Sequence, residues 1–253
     1  MSHHDHRTDE ELRRYVVNME KHAKSAYGPL ARRIVDFKRL HLDGKRATIL
    51  DIGCGPGFLA FEVMNRDYAI HAIGIDPDPR MVEVAQLKAR ARGMTEFIAR
   101  LAGAERIPLK SETVDIAVSR RTLHHWKNLS SGFREIRRVL RPNGLLIIND
   151  VNRAYPHWKR RVRYVILGIL AGRDAARHWP GMREHWLSPD DVQPLLEREG
   201  FRLEFLDAGA DFTLVVQKQA STKRAERSSG PSTALPSKHH QHRASSEKTS
   251  INS

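Results

Sequence analysis

From Lys45 to Val216 the apolar segments of this chain alternate between two kinds, and that alternation restricts the fold more than any other feature of the sequence. Residues 47–51 form a short β-rich run, 58–65 has helical spacing, 69–75 reads as a strand, 79–92 as a helix and 96–99 as a weak strand. Residues 114–119 then read as a strand, 131–140 as a helix, and 145–149 as a strand that follows an Asn143-Gly144 turn. Strand and helix in alternation predict an α/β fold with a parallel sheet covered on both faces. Ser188-Pro189-Asp190-Asp191 opens a last helix to about Glu199, with proline in the first turn, where its missing N–H costs little. Two strands close the pattern, 201–206 and 212–217, joined by Asp207-Ala208-Gly209-Ala210-Asp211. A link that short permits only an antiparallel hairpin, because a parallel return needs about a dozen residues.

Ahead of the first strand, Thr8 followed by Glu11 is a capping-box signature. The apolar positions after it predict two amphipathic helices, broken at Gly28-Pro29. From Gln219 onward almost no large apolar residue occurs, so this segment cannot bury enough surface to repay the entropy of ordering and is expected to be a disordered basic tail. The expected division is residues 1–44 as an N-terminal helical lid, 45–218 as the main domain with a helical cap insertion at 152–187, and 219–253 as the tail.

No stretch approaches the roughly 18 consecutive apolar residues of a membrane span, and Met1-Ser2-His3-His4-Asp5-His6 lacks the apolar core of a signal peptide, so the expected location is the cytoplasm. The single cysteine, Cys54, excludes an internal disulfide and a thiolate metal cage; it reads as a small buried residue in a tight loop, with a nucleophile as the alternative. The formal net charge of +13 raises the question of an anionic partner. The tail holds six Lys or Arg against two Glu, so +4 of that charge belongs to it and +9 to the remainder. The histidine clusters His3, His4, His6 and His239, His240, His242 lie in these terminal segments, where weak metal binding is the only role they suggest.

The stretch Ile49-Leu50-Asp51-Ile52-Gly53-Cys54-Gly55-Pro56-Gly57 falls where the first strand turns into the first helix of the sheet, the place where open parallel sheets bind ligands. Glycine lets the backbone turn sharply and lets a ligand approach the main chain. A carboxylate at Asp51 opposes phosphate binding there and suits a cationic amino group. Asp76, at the end of the second strand, can accept both hydroxyls of a ribose or cap the helix that starts at Pro77. Met81 is placed to pack near an adenine or in the core. The site therefore calls for a ligand with a ribose and a positive charge.

The sequence resembles the class I S-adenosylmethionine-dependent methyltransferases, in particular the group that includes menaquinone and ubiquinone methyltransferases and many small-molecule methyltransferases. The likeness covers about residues 48–201 and is carried by ILDIGCGPG, AIGIDPDPRMVEVAQ, GAERIPLKSETVDIAVSRRTLHHW and GFREIRRVLRPNGLLIIND, in that order. It implies a Rossmann-like three-layer sandwich with a seven-stranded, mostly parallel sheet and a reversed last strand. It implies S-adenosylmethionine as cofactor. Asp51, Gly53 and Gly55 would line its methionine moiety, Asp76 would hold the ribose hydroxyls, Ala104 and Glu105 would flank the adenine, and Ser119 with Arg120 would border the sulfonium; Gly57, Pro77 and Met81 complete the expected cofactor-binding set. In one place the chain departs from the family, with Gly103 where an aspartate commonly accepts the adenine amino group.

A sulfonium methyl is already activated, so its in-line transfer needs positioning more than side-chain chemistry, and no metal. His124 and His125 stand in the loop where a base for an oxygen or nitrogen acceptor would act; support of the loop is the plainer role. Tyr15, His22 and Tyr27 on the N-terminal segment are further candidates. Residues 152–186 are longer than a simple connection needs. Trp158, Val162, Val165, Ile166, Ile169 and Leu170 repeat there at helical spacing beside Lys159, Arg160, Arg161 and Arg163, a basic amphipathic helix over 156–170. It reads as a substrate cap that can touch an anionic membrane surface, or as a surface helix with its charges in water. Trp158 and His185, with Tyr27, are the candidate acceptor contacts. The expected function is methyl transfer to a small, apolar or acidic organic molecule. An RNA methyltransferase is the alternative the charge suggests, disfavoured by the lack of aromatics interleaved with basic residues. A non-catalytic binding module is the other.

Overall fold

The computed structural model describes residues 8–43, 45–159, 161, 162, 165 and 186–220. Helix α1 (Asp9–Leu42) leads into strand β1 (Ala47–Ile52), followed by α2 (Phe58–Met64), β2 (Ile70–Asp76), α3 (Pro79–Ala91), β3 (Phe97–Leu101) and β4 (Val114–Arg120). A single 3-10 turn at Leu123–His125 precedes α4 (Leu129–Val139), β5 (Leu140–Val151), α5 (Pro189–Arg198), β6 (Phe201–Ala208) and β7 (Asp211–Lys218). The seven strands form one sheet in the order β3-β2-β1-β4-β5-β7-β6. β1 to β5 pair in parallel, and β7 lies antiparallel between β5 and β6. The hairpin expected from the five-residue link is therefore present, and only its second strand is reversed relative to the rest.

Successive strand residues point to opposite faces, and both faces are buried. Ile49, Ile116, Val118, Leu145, Ile147 and Val215 pack under α1, α2 and α3. Leu50, Ile52, Ala117, Leu146, Ile148 and Val216 pack with α4 and α5 through Phe133, Ile136, Val192 and Leu196. The Asn143-Gly144 turn is a bulge within β5. Val114 pairs with Leu140 and Ile116 with Leu145, so four residues of β5 stand opposite Asp115 alone. Asn143 has a positive φ of 62° there.

The N-terminal segment departs from expectation, because one helix of 34 residues runs through Pro29 where two were predicted. Interior proline costs about 3 kcal/mol. Burial of Leu30, Ile34 and Val35 just beyond it offsets this at about 1.5–3 kcal/mol each. Ser25, whose carbonyl loses the Pro29 amide, and Pro29 itself are exposed, so water can satisfy the freed carbonyl. Thr8 and Glu11 form the capping box. Gly28 is buried where α1 passes Arg66, and a β-carbon there would lie 3.2 Å from the guanidinium.

Lys38 of α1 is fully buried, and its Nζ donates to Asp67 Oδ2 at 2.7 Å in the loop between α2 and β2. A buried ammonium left without its carboxylate is costly, whereas an apolar side chain of similar length is tolerated. Asp67→Ala is expected to lower unfolding free energy by about 3–5 kcal/mol in urea denaturation, and Lys38→Met by clearly less. Equal losses for the two would show that the pair is not what anchors α1.

Candidate active site

Chain order reverses at β1. The chain runs outward through β2 and β3, then returns to place β4 on the other side of β1. The carboxyl ends of β1 and β4 thus diverge around a crevice, the usual ligand site of open α/β sheets.

Three glycines shape its floor. Gly53, Gly55 and Gly57 all have positive φ, at 70°, 51° and 85°. The amides of Gly53 and Cys54 donate to the Ile75 carbonyl at 2.8 and 3.0 Å, which curls the turn over the end of β2. A β-carbon on Gly53 would lie 2.4 Å from Thr122 Cγ2 and one on Gly57 2.8 Å from Phe61, so both are packed from within the protein. Gly55 differs. A β-carbon there would meet nothing within 4 Å, so its backbone borders open space.

Asp51 lies one residue before the end of β1, between β2 and β4 and paired in register with Gly74 and Val118. Its side chain is buried, and Oδ2 has no hydrogen-bond partner among the described residues. Burial pushes its pKa up to about 7; the nearby Asp76 charge adds to the rise, while Arg120 and the Ala60 amide oppose it. Asp76 is also buried. Its Oδ1 accepts from the Asp78 amide and its Oδ2 from the Gly55 amide, each at 2.9 Å. Each oxygen therefore keeps a lone pair for a further donor. Burial raises the Asp76 pKa, and the two amides oppose the rise. The cap of α3 is Asp78, whose Oδ1 accepts from the Arg80 amide, so Asp76 is not spent on that role. Pro77 is exposed beside it, and Met81 is buried on the first turn of α3.

Across the crevice, Ser119 is buried at the end of β4, 2.7 Å from the Thr122 hydroxyl. Thr122 Oγ1 also accepts from Trp126 Nε1 at 3.3 Å, so one hydroxyl ties β4 to the loop before α4. Arg120 lays its guanidinium 4.4 Å from the Tyr27 ring centroid and donates from Nη2 to the Ala26 carbonyl at 3.1 Å, joining β4 to α1. Tyr27 is buried, and desolvation pushes its hydroxyl up to about 12.

The His124 and His125 rings lie tilted at 43° to each other with centroids 3.9 Å apart on the turn after β4. Beneath them lies a residue the sequence reading passed over. Asp150, buried near the end of β5, accepts from the Leu123 amide at 3.3 Å and from the Val151 amide at 2.7 Å, and burial pushes its pKa up to about 6. Its signal was present: like Asp51 and Asp76, it is an aspartate closing an apolar strand run.

Ala104 is buried beside Gly132. Glu105 Oε1 accepts from the amides of Lys127 and Asn128 at 2.6 and 3.3 Å, fastening the loop before α4, and its Oε2 is the oxygen that faces Gly103. Cys54 is buried over Gly74, and burial raises its thiol pKa well above the ordinary value, as packing rather than nucleophilic chemistry requires. His22 is exposed and Tyr15 half-buried on α1. Trp158 is 65 % exposed, and His185 lies outside the described residues, as do most of 156–170 and the tail from 221. Among the described residues no helix is long and apolar enough to cross a membrane.

The crevice fits S-adenosylmethionine by the chemistry of its groups. An orphaned buried carboxylate suits an ammonium, a second carboxylate keeps two lone pairs suited to vicinal hydroxyls, and a backbone without a β-carbon borders free volume.

Comparison with known proteins agrees. Residues 50–148 match the family described as methyltransferase domain. An uncharacterized protein, YafE, of Escherichia coli is 34 % identical over 79 residues, 31 % of this chain and 38 % of that one. The ubiquinone biosynthesis O-methyltransferase of Cereibacter sphaeroides is 28 % identical over 155 residues, 60 % of this chain and 59 % of that one. The chain thus spans less than two thirds of the length of these relatives. Among solved structures, a putative S-adenosyl-L-methionine-dependent methyltransferase from Methanococcus maripaludis aligns over 87 % of this chain and 98 % of its own, with a TM-score of 0.60 at 18 % identity. A SAM-dependent methyltransferase from Aquifex aeolicus aligns over 75 % and 97 %, with a TM-score of 0.56 at 21 % identity. These two likenesses establish the fold. The matched methyltransferase domain, residues 50–148, spans less than half of the chain and agrees with that fold.

Proposed function

We propose that this protein transfers a methyl group from S-adenosylmethionine to a small organic acceptor. The observation that carries the reading is the Asp51 carboxylate, dry and without a partner at Oδ2, at the mouth of a turn whose Gly55 faces open space. When bound, the donor supplies a sulfonium methyl ready for in-line displacement. Asp51 holds the donor's amino group, Asp76 accepts from its ribose hydroxyls, and Met81 with Ala104 gives the adenine an apolar bed. The half-committed Glu105 offers Oε2 for the adenine amino group in place of the missing aspartate at 103. Tyr27 and α1 cover the crevice and exclude water. His124 and His125, on a turn braced by Asp150, take the proton of an oxygen or nitrogen acceptor. Relatives named for ubiquinone biosynthesis support a small, partly apolar acceptor. The exposed Trp158, Val162 and Val165 support an apolar approach to the site or a membrane surface from the 152–187 segment.

The sign of the pH dependence follows from Asp51. Its folded pKa of about 7 stands above the ordinary 3.8, so between those values the folded protein holds a proton the unfolded chain releases. Asp51 therefore lowers the stability of the ligand-free protein as pH rises through that window, and a cationic ligand recovers the cost. Affinity for S-adenosylhomocysteine, followed by calorimetry on the full chain, is expected to rise by up to about tenfold per pH unit below about 7 and then level off. Asp51→Asn is expected to flatten the curve and lower its plateau at least about tenfold. A variant that kept the pH dependence would move the cation site elsewhere.

Gly53 and Gly55 separate fold from ligand. Gly53→Ala pushes a β-carbon into Thr122 at a positive φ and is expected to cost about 3 kcal/mol or more in urea denaturation. Gly55→Ala costs about 1–2 kcal/mol for its φ alone yet is expected to weaken S-adenosylhomocysteine binding at least about tenfold, because its methyl enters the open volume. Wild-type affinity in Gly55→Ala would mean that the ligand lies elsewhere.

A further inference from the structure

Among the described residues, nothing balances the charge of Arg120 at hydrogen-bond range. A guanidinium carries five N–H donors. Among the described residues, Arg120 makes one hydrogen bond, from Nη2 to the Ala26 carbonyl, and no ion pair; its Nε is closed off from solvent and has no partner. Its neighbour Arg121 shows the ordinary solution, an ion pair with Asp211 at 2.9 Å. Arg120 instead sets its guanidinium carbon 4.4 Å from the Tyr27 ring centroid, and this contact together with the Ala26 hydrogen bond holds the fork in place. It stands beside the same crevice as Asp51, near enough for its charge to oppose the rise of the Asp51 pKa, but outside ion-pair distance.

A cation placed against a sulfonium is repelled by it, so contact with the donor's sulfur gives this guanidinium no compensation. What it lacks is an anion, and the planar fork of a guanidinium matches a carboxylate through two parallel N–H···O bonds. We propose that Arg120, steadied by Tyr27 and Ala26, is an anchor for a carboxylate brought into the crevice by a bound molecule. Two bound molecules can bring one. The donor's amino-acid end carries a carboxylate next to the amino group assigned to Asp51, and an acidic acceptor carries its own. The inference rests on the methyl-transfer reading only for the first of these sources. Because the anchor also holds the carbonyl of Ala26, filling it ties α1 to the occupied crevice.

The test pairs each carboxylate with a counterpart that lacks it. S-adenosylhomocysteine and its decarboxylated form are titrated by calorimetry into full-length wild type, Arg120→Gln and Arg120→Lys. Benzoate and benzyl alcohol are titrated into the same proteins, free and saturated with S-adenosylhomocysteine. The expected result is that Arg120→Gln weakens one carboxylate-bearing ligand at least about tenfold, leaves its counterpart within about twofold, and that Arg120→Lys recovers part of the loss. Loss on S-adenosylhomocysteine assigns the carboxylate to the donor, and loss on benzoate assigns it to the acceptor. Wild-type preference for each acid over its counterpart reads the same anchor without any substitution, should Arg120→Gln fail to fold. The proposal is overturned if wild type shows no preference for either acid, or if Arg120→Gln weakens acid and counterpart alike. Failure of wild type to bind S-adenosylhomocysteine would sink the methyl-transfer reading, while the benzoate arm would still decide Arg120.

Discussion

The buried carboxylate of Asp51 is the constraint around which the site is arranged. A carboxylate oxygen that is out of water and out of reach of a donor costs about 1–3 kcal/mol, more when charged. The fold places it on β1, flanked by β2 and β4 and covered by apolar layers on both faces, where relaxation toward solvent is blocked. That expense makes sense only for a group whose partner arrives from outside. The raised pKa is the same fact in another form: without a cation the site prefers a proton.

Three strand ends repeat the device with different outcomes. Asp51 on β1 is left short of partners, Asp76 on β2 is half satisfied by the Gly55 and Asp78 amides, and Asp150 on β5 is spent on the Leu123 and Val151 amides. The gradient runs from ligand capture to internal bracing. It follows strand position, since the loops after β1 and β2 enclose the crevice while the end of β5 lies under the turn that carries the histidines. Arg120 is the cationic complement on β4. Two of these charged groups thus stand ready on either side of the switch point.

Much of this was legible in the residues. Apolar runs with two periodicities predicted the helices and strands to within a few positions, and a five-residue link predicted the hairpin, because both rest on local geometry. The turn after β1 was legible because glycine at alternate positions has few other uses. Pro29 misled, since the rule that proline ends helices is local and the burial of Leu30, Ile34 and Val35 against the sheet outweighed it. Asp78 rather than Asp76 caps α3 for a similar reason: spacing of two residues leaves both possible, and the Gly55 amide, 21 residues away in sequence, decided where Asp76 points.

The sequence alone determined the α/β layering, the place of the glycine turn and the presence of carboxylates at strand ends, because periodicity and backbone conformation are properties of neighbouring residues. Only the tertiary structure decided which charges go unpaired. Asp51 and Arg120 look no different in the chain from Asp150 and Arg121. Whether a charged group has a partner depends on elements far apart in sequence, as when Arg120 meets Ala26 and Tyr27 across more than ninety residues. Partnering and burial are non-local quantities, and they separate a binding group from a bracing one.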